Sequence, residues 1–399
     1  MPKIYLDNAA TTPVRKEVLD AMRPFFSKRF GNASSLHKWG QEAKIALENS
    51  RCTVAAAIGA EPEEIIFTSG GTESNNLALK GIVLANKGKH IITSAIEHPS
   101  VLQTAKWLEK QGVEVTYVPV DKQGIIRLSD LEKAIRKDTV LVSIMFANNE
   151  IGTVQPVKEI GDICKKKGVI FHTDAVQAFG KLPIDVKKMN IDLLSISSHK
   201  INGPKGVGAL YLRKGTKIEP TMHGGGHEKN RRSGTENVAG IVGFAKAAEL
   251  AKKELKQMKD MEKLRDMLIK GCLKVKDSRL NGHQKKRLPN NVNITFRYIE
   301  GEALVLLLDD LGIAASTGSA CSTKKLEPSH VLLAIGLKHA EAHGSLRLTL
   351  GKDTKRSDVQ YVLKVLPKTV KKLRKISPFK GQWEISWKME HMLHKHVGD

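Results

Sequence analysis

Short apolar runs alternate with helical patterns along the middle of the chain, from about residue 65 to residue 212. The runs are rich in Val, Ile and Leu and have the length of buried strands. The predicted strands are 65–68, 90–93, 113–118, 139–144, 169–172, 193–196 and 208–212. Because strands and helices alternate, we expect an α/β fold with a mostly parallel sheet and helices on both faces.

The pattern changes after residue 238. From 238 to 273 it is helical and charged, with an apolar stripe of Met261, Leu264, Met267 and Leu268. We expect a helix here that links a large domain to a smaller C-terminal one. Two later runs, 291–296 and 345–350, predict strands amid further helices.

Composition and charge narrow the class of protein. The chain has 399 residues, an ordinary apolar fraction and no apolar run near the roughly 20 residues that cross a membrane. Because the N-terminus lacks the apolar segment of a signal peptide, we expect a cytoplasmic protein. The net charge is +23, but the lysines are dispersed in short groups. This favours a solvated basic surface over direct nucleic-acid binding.

The four cysteines lie far apart in the sequence and form no Cys-x-x-Cys pair. A zinc ribbon and a dithiol redox motif are therefore excluded, and we expect no resident metal. Cys52, Cys164 and Cys272 fall in helical patterns, where the ordinary role is that of a small core residue. Cys321 differs because it lies in a run of small residues, about 314–328. Such a run predicts a mobile loop with an accessible thiol.

A carboxylate and an amine follow two successive predicted strands. Asp174 comes after 169–172, and Lys200 ends the sequence Ser-Ser-His-Lys after 193–196. Open α/β sheets bind ligands at this end of their strands. In a pyridoxal phosphate (PLP) site, a lysine holds the aldehyde as a Schiff base and an acid keeps the pyridine nitrogen protonated. The ordinary alternatives are a helix N-cap for Asp174 and a solvated turn lysine for Lys200.

A glycine-rich turn follows the predicted strand 65–68. Residues 69–74, Ser-Gly-Gly-Thr-Glu-Ser, precede a helical pattern, so they would direct backbone N–H groups and a helix dipole toward an anion. The spacing fits neither the Walker loop nor the dinucleotide Gly-x-Gly-x-x-Gly. A phosphate monoester such as that of PLP suits it better. The alternative is a plain tight turn with Thr72 as a cap.

Arg347 lies on the polar face of the predicted strand 345–350, opposite Leu346, Leu348 and Leu350. The arginine therefore points away from the core of the smaller domain. It faces either water or a cleft between domains. In a cleft, its planar guanidinium could bind an amino-acid carboxylate through two hydrogen bonds.

Nine motifs spread over nearly the whole chain complete this pattern. They are Tyr-Leu-Asp-Asn-Ala-Ala-Thr-Thr-Pro at 5–13, Thr-Ser-Gly-Gly-Thr-Glu-Ser-Asn at 68–75, Glu-His at 97–98, Asn-Asn-Glu-Ile-Gly at 148–152, Asp-Ala-Val-Gln at 174–177, Ser-Ser-His-Lys at 197–200, Gly-Gly-Gly-His-Glu at 224–228, Arg-Ser-Gly-Thr at 232–235 and Gly-Ser-Ala-Cys-Ser at 318–322. Together they resemble the class V, fold type I, PLP enzymes, and within them the cysteine desulfurases of the NifS and IscS group. The long segment around Cys321 resembles the members with an extended mobile loop.

The resemblance implies how the cofactor is held. Lys200 would form the Schiff base and move protons, and Asp174 would pair with the pyridine nitrogen. His98 would stack on the ring and assist proton transfer. Gln177 would bond the ring oxygen, and Asn149 would be a further cofactor contact. The phosphate would be held by Gly71, Thr72, Ser197 and His199. Thr235 would reach the phosphate of the neighbouring subunit's cofactor.

The resemblance also implies how the substrate, L-cysteine, is handled. Asn149 and Arg347 would orient it, with Arg347 on its carboxylate. Cys321 would attack the substrate sulfur, which leaves an enzyme persulfide and releases alanine. The sulfur would then pass to an acceptor such as an iron–sulfur scaffold protein or a tRNA-thiolation enzyme. In complex with a scaffold, Cys321 could become a transient ligand of an iron–sulfur cluster.

The architecture implied by the resemblance has three parts. A large domain, 15–260, would contain a mostly parallel seven-stranded sheet and bind PLP. A smaller α+β domain, 261–399, would carry the mobile loop. The N-terminal segment, 1–14, would pack with the smaller domain. Because Thr235 would serve the neighbouring subunit, a homodimer would be part of the site.

The leading hypothesis is thus a cysteine desulfurase that supplies sulfur for iron–sulfur cluster assembly or tRNA thiolation. One alternative is a selenocysteine lyase or another class V β-eliminating lyase, which would not need the Cys321 thiol for all of its chemistry. Another is a non-catalytic scaffold that binds RNA or protein on the same fold. The presence of Lys200, Asp174, His98 and Cys321 argues against that scaffold.

Overall fold

The structure, a computed structural model, describes residues 2–86, 88–317 and 328–377. Its strands are β1 (Ile4–Tyr5), β2 (Ile65–Thr68), β3 (His90–Ser94), β4 (Glu114–Val118), β5 (Thr139–Ser143), β6 (Ile170–Asp174), β7 (Leu193–Ser197), β8 (Gly208–Leu212), β9 (Ser278–Leu280), β10 (Asn291–Phe296), β11 (Ile313–Ala314) and β12 (Ser345–Thr349). Its α-helices are α1 (Lys16–Met22), α2 (Pro24–Ser27), α3 (Lys38–Ile58), α4 (Gly71–Ala85), α5 (Pro99–Glu109), α6 (Leu128–Ala134), α7 (Val157–Lys167), α8 (His227–Asn230), α9 (Val238–Glu254), α10 (Met258–Cys272), α11 (Gly301–Asp309), α12 (His330–Ala334), α13 (His339–His343) and α14 (Arg356–Ile376).

Seven strands form the central sheet in the order β2-β8-β7-β6-β5-β3-β4. In this order, the five strands β7, β6, β5, β3 and β4 are parallel to one another, whereas β8 is antiparallel to both β2 and β7. All seven predicted strands are present, and their ends differ from the prediction by at most two residues. The α/β fold with a mostly parallel seven-stranded sheet is confirmed.

The apolar runs of the sheet are continuous because both of its faces are buried. Leu194 belongs to the core cluster on one face, which α3 and α9 cover. Its neighbour Leu193 belongs to the cluster on the other face, which α4 and α5 cover. Since successive side chains of a strand point to opposite faces, both faces of a central strand are buried, and apolar residues predominate there beside hydrogen-bonded polar ones such as His172 and Ser195. Packing on both faces therefore makes the sheet a rigid support for the edge where its strands end.

A second core surrounds an antiparallel sheet in which β10 lies between β12 and β9. Helices α10, α11 and α14 contribute buried side chains to this core. Strand β1 pairs in parallel with β11, with Ile4 opposite Ile313, and Ile4 and Leu6 are buried in the same core. The domain boundaries given above stay predictions.

The prediction of a single helix from 238 to 273 is wrong. Helices α9 and α10 are separated by a 3₁₀ turn, Leu255–Gln257. Helix α9 packs mainly against α3, which covers one face of the large sheet. Helix α10 packs instead against α14 of the second core. One straight helix could not follow both partners, so the chain breaks between them. Within the described ranges, no helix is long and apolar enough to cross a membrane.

The cysteines also differ from expectation at one position. Cys164 and Cys272 are buried, and burial raises the pKa of each thiol to about 12. Cys52 is exposed, so the prediction of a core role for it is wrong. It lies on the outer side of α3, whose core face is formed by residues such as Leu47 and Val54. Cys321 lies outside the described residues.

The buried sheet gives a stability prediction. Leu194 is 0% exposed, so Leu194→Ala removes apolar contacts and leaves a cavity. We expect a loss of about 2–5 kcal/mol in the free energy of unfolding. Leu306→Ala is the matched control, since that side chain is 68% exposed, and it should change stability by no more than about 0.5 kcal/mol. Urea unfolding followed by circular dichroism measures both, and equal losses would contradict this packing.

Candidate active site

The carboxyl ends of β6 and β7 bring the first two candidate residues together. Asp174 is the last residue of β6, and Lys200 follows β7 in a 3₁₀ turn, Ser198–Lys200. The two strands are parallel neighbours, with Asp174 opposite Ser195. Their ends therefore meet at one edge of the sheet, where α/β folds hold ligands.

Both groups are fixed by hydrogen bonds. The carboxylate of Asp174 accepts from Asn75 Nδ2 at 2.7 Å and from the backbone N–H of Val176 at 3.0 Å. The amine of Lys200 donates to the carbonyl oxygens of Ala9 and Ala10. Lys200 is therefore held inside the protein rather than in a solvated turn. One carboxylate oxygen of Asp174, Oδ1, accepts from Val176 in a local turn. The other, Oδ2, accepts from Asn75 and takes no part in that turn.

The glycine turn after β2 leads into α4 at this edge of the sheet. Gly70 has a φ of +153°, which favours glycine, and a Cβ on Gly71 would come within 2.6 Å of Val176 Cγ2. Within the described part of the chain no side chain caps α4, so its first N–H groups are not taken by Thr72. Beside them is a cavity of about 370 Å³ whose lining includes Gly71, Thr72, Ser197 and His199.

His98 is the residue before α5, and its ring has a defined orientation. Its Nδ1 accepts from the backbone N–H of Ser100 at 3.1 Å. A neutral ring must then carry its proton on Nε2. Burial lowers the pKa of His98, and the charge of Asp174 partly opposes this effect. The lowered pKa favours the neutral form of the His98 imidazole.

These residues line one cavity of about 810 Å³. The predicted site residues in its lining are Gly71, Thr72, His98, Asn149, Asp174, Gln177, Ser197, His199, Lys200 and Arg347. Thr235 is exposed and is not in this lining. Cys321 falls outside the part of the chain that the structure describes.

Arg347 faces the cavity and not water. Its guanidinium donates to Asp7 Oδ1 at 2.8 Å and to the carbonyl of Asn149 at 3.3 Å. Its Nε is buried and has no hydrogen-bond partner among the residues that the structure describes. The backbone of Arg347 also pairs with Ser316. A buried guanidinium held in this way can receive a carboxylate from the cavity.

The loop that carries Thr235 is anchored by a buried ion pair. Glu228, Lys229 and Asn230 in α8 all have positive φ, at 47°, 58° and 64°. Arg51 donates to both carboxylate oxygens of Glu228, at 2.7 and 2.8 Å, and the backbone N–H of Phe67 donates to one of them. The left-handed turn is therefore held against β2, the strand that leads into the glycine turn.

Sequence reasoning missed Glu150 and His330, which line the cavity, and Glu97, whose carbonyl contacts His330. Glu97 and Glu150 are fully buried, and burial raises the pKa of Glu97 to about 8 and that of Glu150 to about 7. Glu150 accepts from Ser329 at 2.5 Å, and His330 Nε2 contacts the carbonyl of Glu97 at 3.0 Å. The sequence did contain a signal for Glu97 and Glu150, because they belong to the motifs at 97–98 and 148–152. Nothing in the sequence around His330 marked it.

Comparisons with known proteins agree with this geometry. Residues 4–362 match the aminotransferase class V family. A cysteine desulfurase IscS from Methanosarcina thermophila is 60% identical over 378 residues, which are 94% of each chain. A solved NifS-like protein has a TM-score of 0.88 and 43% identity, covering 93% of this chain and 100% of its own. The structure of SspA in complex with cysteine has a TM-score of 0.77 and 39% identity, covering 87% and 99%.

These likenesses span nearly the full length of this chain and of its relatives, and the shared part includes every residue that lines the cavity. The chain therefore belongs to the class V aminotransferase family and, within it, to the cysteine desulfurases of the IscS and NifS-like group.

Proposed function

We propose that this cysteine desulfurase uses PLP to convert L-cysteine into L-alanine and a persulfide on Cys321. The observation that carries the proposal is the meeting of Lys200, Asp174 and His98 in one cavity with Arg347. An amine, a carboxylate, a neutral imidazole and a guanidinium are the groups that a PLP enzyme needs to act on an amino acid.

The cavity fits PLP by its shape and its donors. The first turn of α4 and Ser197 and His199 line a space that suits a phosphate. The close approach of Gly71 to Val176 leaves no room for a side chain there. Asp174, fixed by Asn75, also lines the cavity and would hold a proton on the pyridine nitrogen. When bound, PLP would withdraw negative charge from the substrate α-carbon.

The other side chains around the cavity would move protons and bind the substrate. Lys200 would carry a proton on Nζ between positions on the substrate, and His98 would donate from Nε2. Arg347 would bind the substrate carboxylate in place of its present contact with Asp7. Asn149, whose carbonyl already accepts from Arg347, would help to orient the substrate.

Cys321 would take the sulfur in a balanced exchange. Its thiolate would form a bond to the substrate sulfur as the carbon–sulfur bond breaks, and the electron pair would stay with carbon. Cysteine and the enzyme thiol then give alanine and an enzyme persulfide without an outside oxidant. Ser316 pairs with Arg347, and Cys321 lies five residues after Ser316 in the sequence. Five residues of fully extended chain span at most about 17 Å, a length that is compatible with the proposed attack on the substrate sulfur.

A homodimer is part of this proposal. Large apolar side chains are exposed between residues 26 and 45, and Leu36 is 93% exposed. The others in this segment are Phe26, Phe30, Trp39 and Ile45. Monomeric proteins rarely expose so many large apolar groups together, which supports a second subunit on this face. Thr235, exposed on its anchored loop, would reach the cofactor phosphate of that subunit.

The sulfur acceptor is proposed from chemistry. A persulfide sulfur is easily passed to another thiolate or to a metal-bound thiolate, so an iron–sulfur scaffold or a tRNA-thiolation enzyme would suit. The net charge of +23 would attract a partner with an acidic surface.

The replacement Cys321→Ser tests the persulfide step. A hydroxyl stays protonated near neutral pH and is a poor nucleophile toward sulfur. We expect the variant to keep the visible absorbance of bound cofactor and to bind cysteine, but to lose at least about 100-fold in alanine formation. Mass spectrometry of the wild type after brief exposure to cysteine should show one added sulfur on the Cys321 peptide.

Cys52→Ser is the matched control for that replacement, because Cys52 is exposed and distant in sequence from the loop. It should leave alanine formation unchanged. Wild-type turnover in Cys321→Ser would remove the persulfide mechanism and favour a β-eliminating lyase.

Subunit mixing tests the role of Thr235. Lys200→Ala should lose the absorbance of lysine-bound cofactor, and Thr235→Asp should weaken cofactor binding because a carboxylate repels phosphate. A heterodimer of the two variants would contain one site with both native residues. We therefore expect alanine formation to recover after mixing. No recovery, despite subunit exchange seen by native mass spectrometry, would place Thr235 on its own subunit's site.

A further inference from the structure

A chain of three hydrogen bonds joins His98 to Asp174. Asn75 Nδ2 donates to Asp174 Oδ2 at 2.7 Å and to Ser100 Oγ at 2.8 Å. Ser100 Oγ in turn lies 2.8 Å from His98 Nδ1. Asn75 belongs to α4, Ser100 to the first turn of α5 and Asp174 to the end of β6, so the chain links three elements.

The direction of each bond in this chain is fixed. Asn75 must direct its amide nitrogen toward Asp174, because the reverse orientation would set the amide oxygen against a carboxylate. His98 Nδ1 accepts from the backbone N–H of Ser100 at 3.1 Å, so Nδ1 carries no proton. The hydroxyl of Ser100 is therefore the donor in its contact with Nδ1, while its oxygen accepts from Asn75.

The position of Asn75 favours its donors over its acceptor. Asn75 is 1% exposed, and among the residues that the structure describes its Oδ1 has no hydrogen-bond partner. A buried carbonyl oxygen without a partner destabilises a fold. An apolar side chain would avoid that loss, but it would leave Asp174 and Ser100 without this donor. The two donated bonds are therefore the physical reason for an asparagine here.

A second proton on the His98 ring has no place in this chain. A proton on Nδ1 would meet the N–H of Ser100, which belongs to the backbone and cannot turn away. The hydroxyl of Ser100 would also have to reverse. The bond from Asn75 opposes that reversal, because linked hydrogen bonds strengthen one another and make the hydroxyl a better donor. Nε2, on the other side of the ring, is left for the cavity that His98 lines.

The charged groups around the cavity act on the same ring. Burial lowers the pKa of His98, the carboxylate of Asp174 opposes this effect, and Lys200 and His330 add to it. The other titratable or charged groups that line a cavity with His98 are Lys80, Lys106, Glu150, His199 and Arg347. Asp174 thus attracts a second proton to His98, whereas the chain between them presents only donors to Nδ1.

We propose that Asn75 and Ser100 are positioning residues that keep a second proton off His98, so that the ring stays neutral and presents the hydrogen on Nε2 to the cavity. A neutral imidazole can polarise a bound group through such a hydrogen bond and keep its own proton. Lys200 would then carry the proton that moves. This division of roles rests on the proposed function. A merely structural role of the chain would be to join α4, α5 and β6.

Four replacements separate the two roles. Ser100→Ala removes the hydroxyl, Ser100→Thr keeps it, and Asn75→Leu removes both amide donors at similar volume. Thr104→Val is the matched control, because it removes a buried hydroxyl of α5 that bonds the backbone carbonyl of Ser100 and not the ring of His98. Thermal unfolding shows which variants are folded, and Asn75→Ala takes the place of Asn75→Leu if the latter is not.

The first measurement is nitrogen-15 NMR of the apoprotein with labelled histidine, at a series of pH values. His98→Gln identifies the signals of His98 by their loss. Ser100→Ala and Asn75→Leu should raise the midpoint for the second proton by about 0.5–1 pH unit, roughly a three- to tenfold gain in proton affinity. Ser100→Thr and Thr104→Val should stay within about 0.2 unit of the wild type. A Ser100→Ala midpoint within that same range would overturn the proposal.

The double variant Asn75→Leu/Ser100→Ala tests the chain itself. Asn75 reaches His98 through the hydroxyl of Ser100, so replacing Asn75 should shift the midpoint no further once that hydroxyl is gone. If Asn75→Leu causes the same shift with and without the hydroxyl, Asn75 acts through Asp174, and its place in the chain is wrong.

The second measurement is the pH profile of kcat for alanine formation by the cofactor-loaded enzyme. If the reaction needs a neutral His98, Ser100→Ala should lose activity at a pH about 0.5–1 unit higher than the wild type, with the cofactor absorbance unchanged. Ser100→Thr should restore the wild-type profile. If the wild type binds no cofactor, the proposed function fails while the NMR comparison still decides the role of the chain. A shift in the NMR midpoint without a shift in the kcat profile would overturn the role of the chain in the reaction.

Discussion

The amine of Lys200 is held by backbone carbonyls from the far end of the chain, and the arrangement of the cavity depends on that contact. Ala9 and Ala10 accept from Lys200, and Ala9 also accepts from Gln177. Backbone carbonyls are useful here because they orient an ammonium without adding a negative charge that would fix its proton. A lysine that must exchange partners during a reaction can leave such acceptors at modest cost.

The same N-terminal segment joins the two cores. On one side, Asn8 donates to the carbonyl of Thr349, and Asp7 pairs with Arg347. On the other, Thr12 donates to the carbonyl of His199. The groups that would bind the substrate carboxylate and the cofactor are thus tied to one short strip of chain. The short chain between Asp7 and Thr12 therefore limits how far these groups can separate.

The sequence was sufficient for the sheet and for the residues that end its strands, because buried parallel strands are continuous apolar runs and their ends are marked by polar motifs. A period of two also placed Arg347 away from the core of the smaller domain, but it left open whether the side chain faces water or a cleft. It could not identify His330, whose contact with Glu97 joins distant segments, and it missed the break between α9 and α10. The exposure of Cys52 likewise depends on which side of α3 meets the core. These features follow from tertiary packing, which local patterns do not contain.

The turn at Glu228, Lys229 and Asn230 combines strain with a strong anchor. Each residue in a left-handed conformation costs roughly 1–2 kcal/mol, and the bonds from Arg51 to Glu228 offset that cost only when the whole turn is formed. A partly relaxed turn would keep strain and lose its anchor, so intermediate shapes are disfavoured. With the anchor in place the Thr235 loop is therefore either seated or released, and weakening the anchor shifts its population toward the released form.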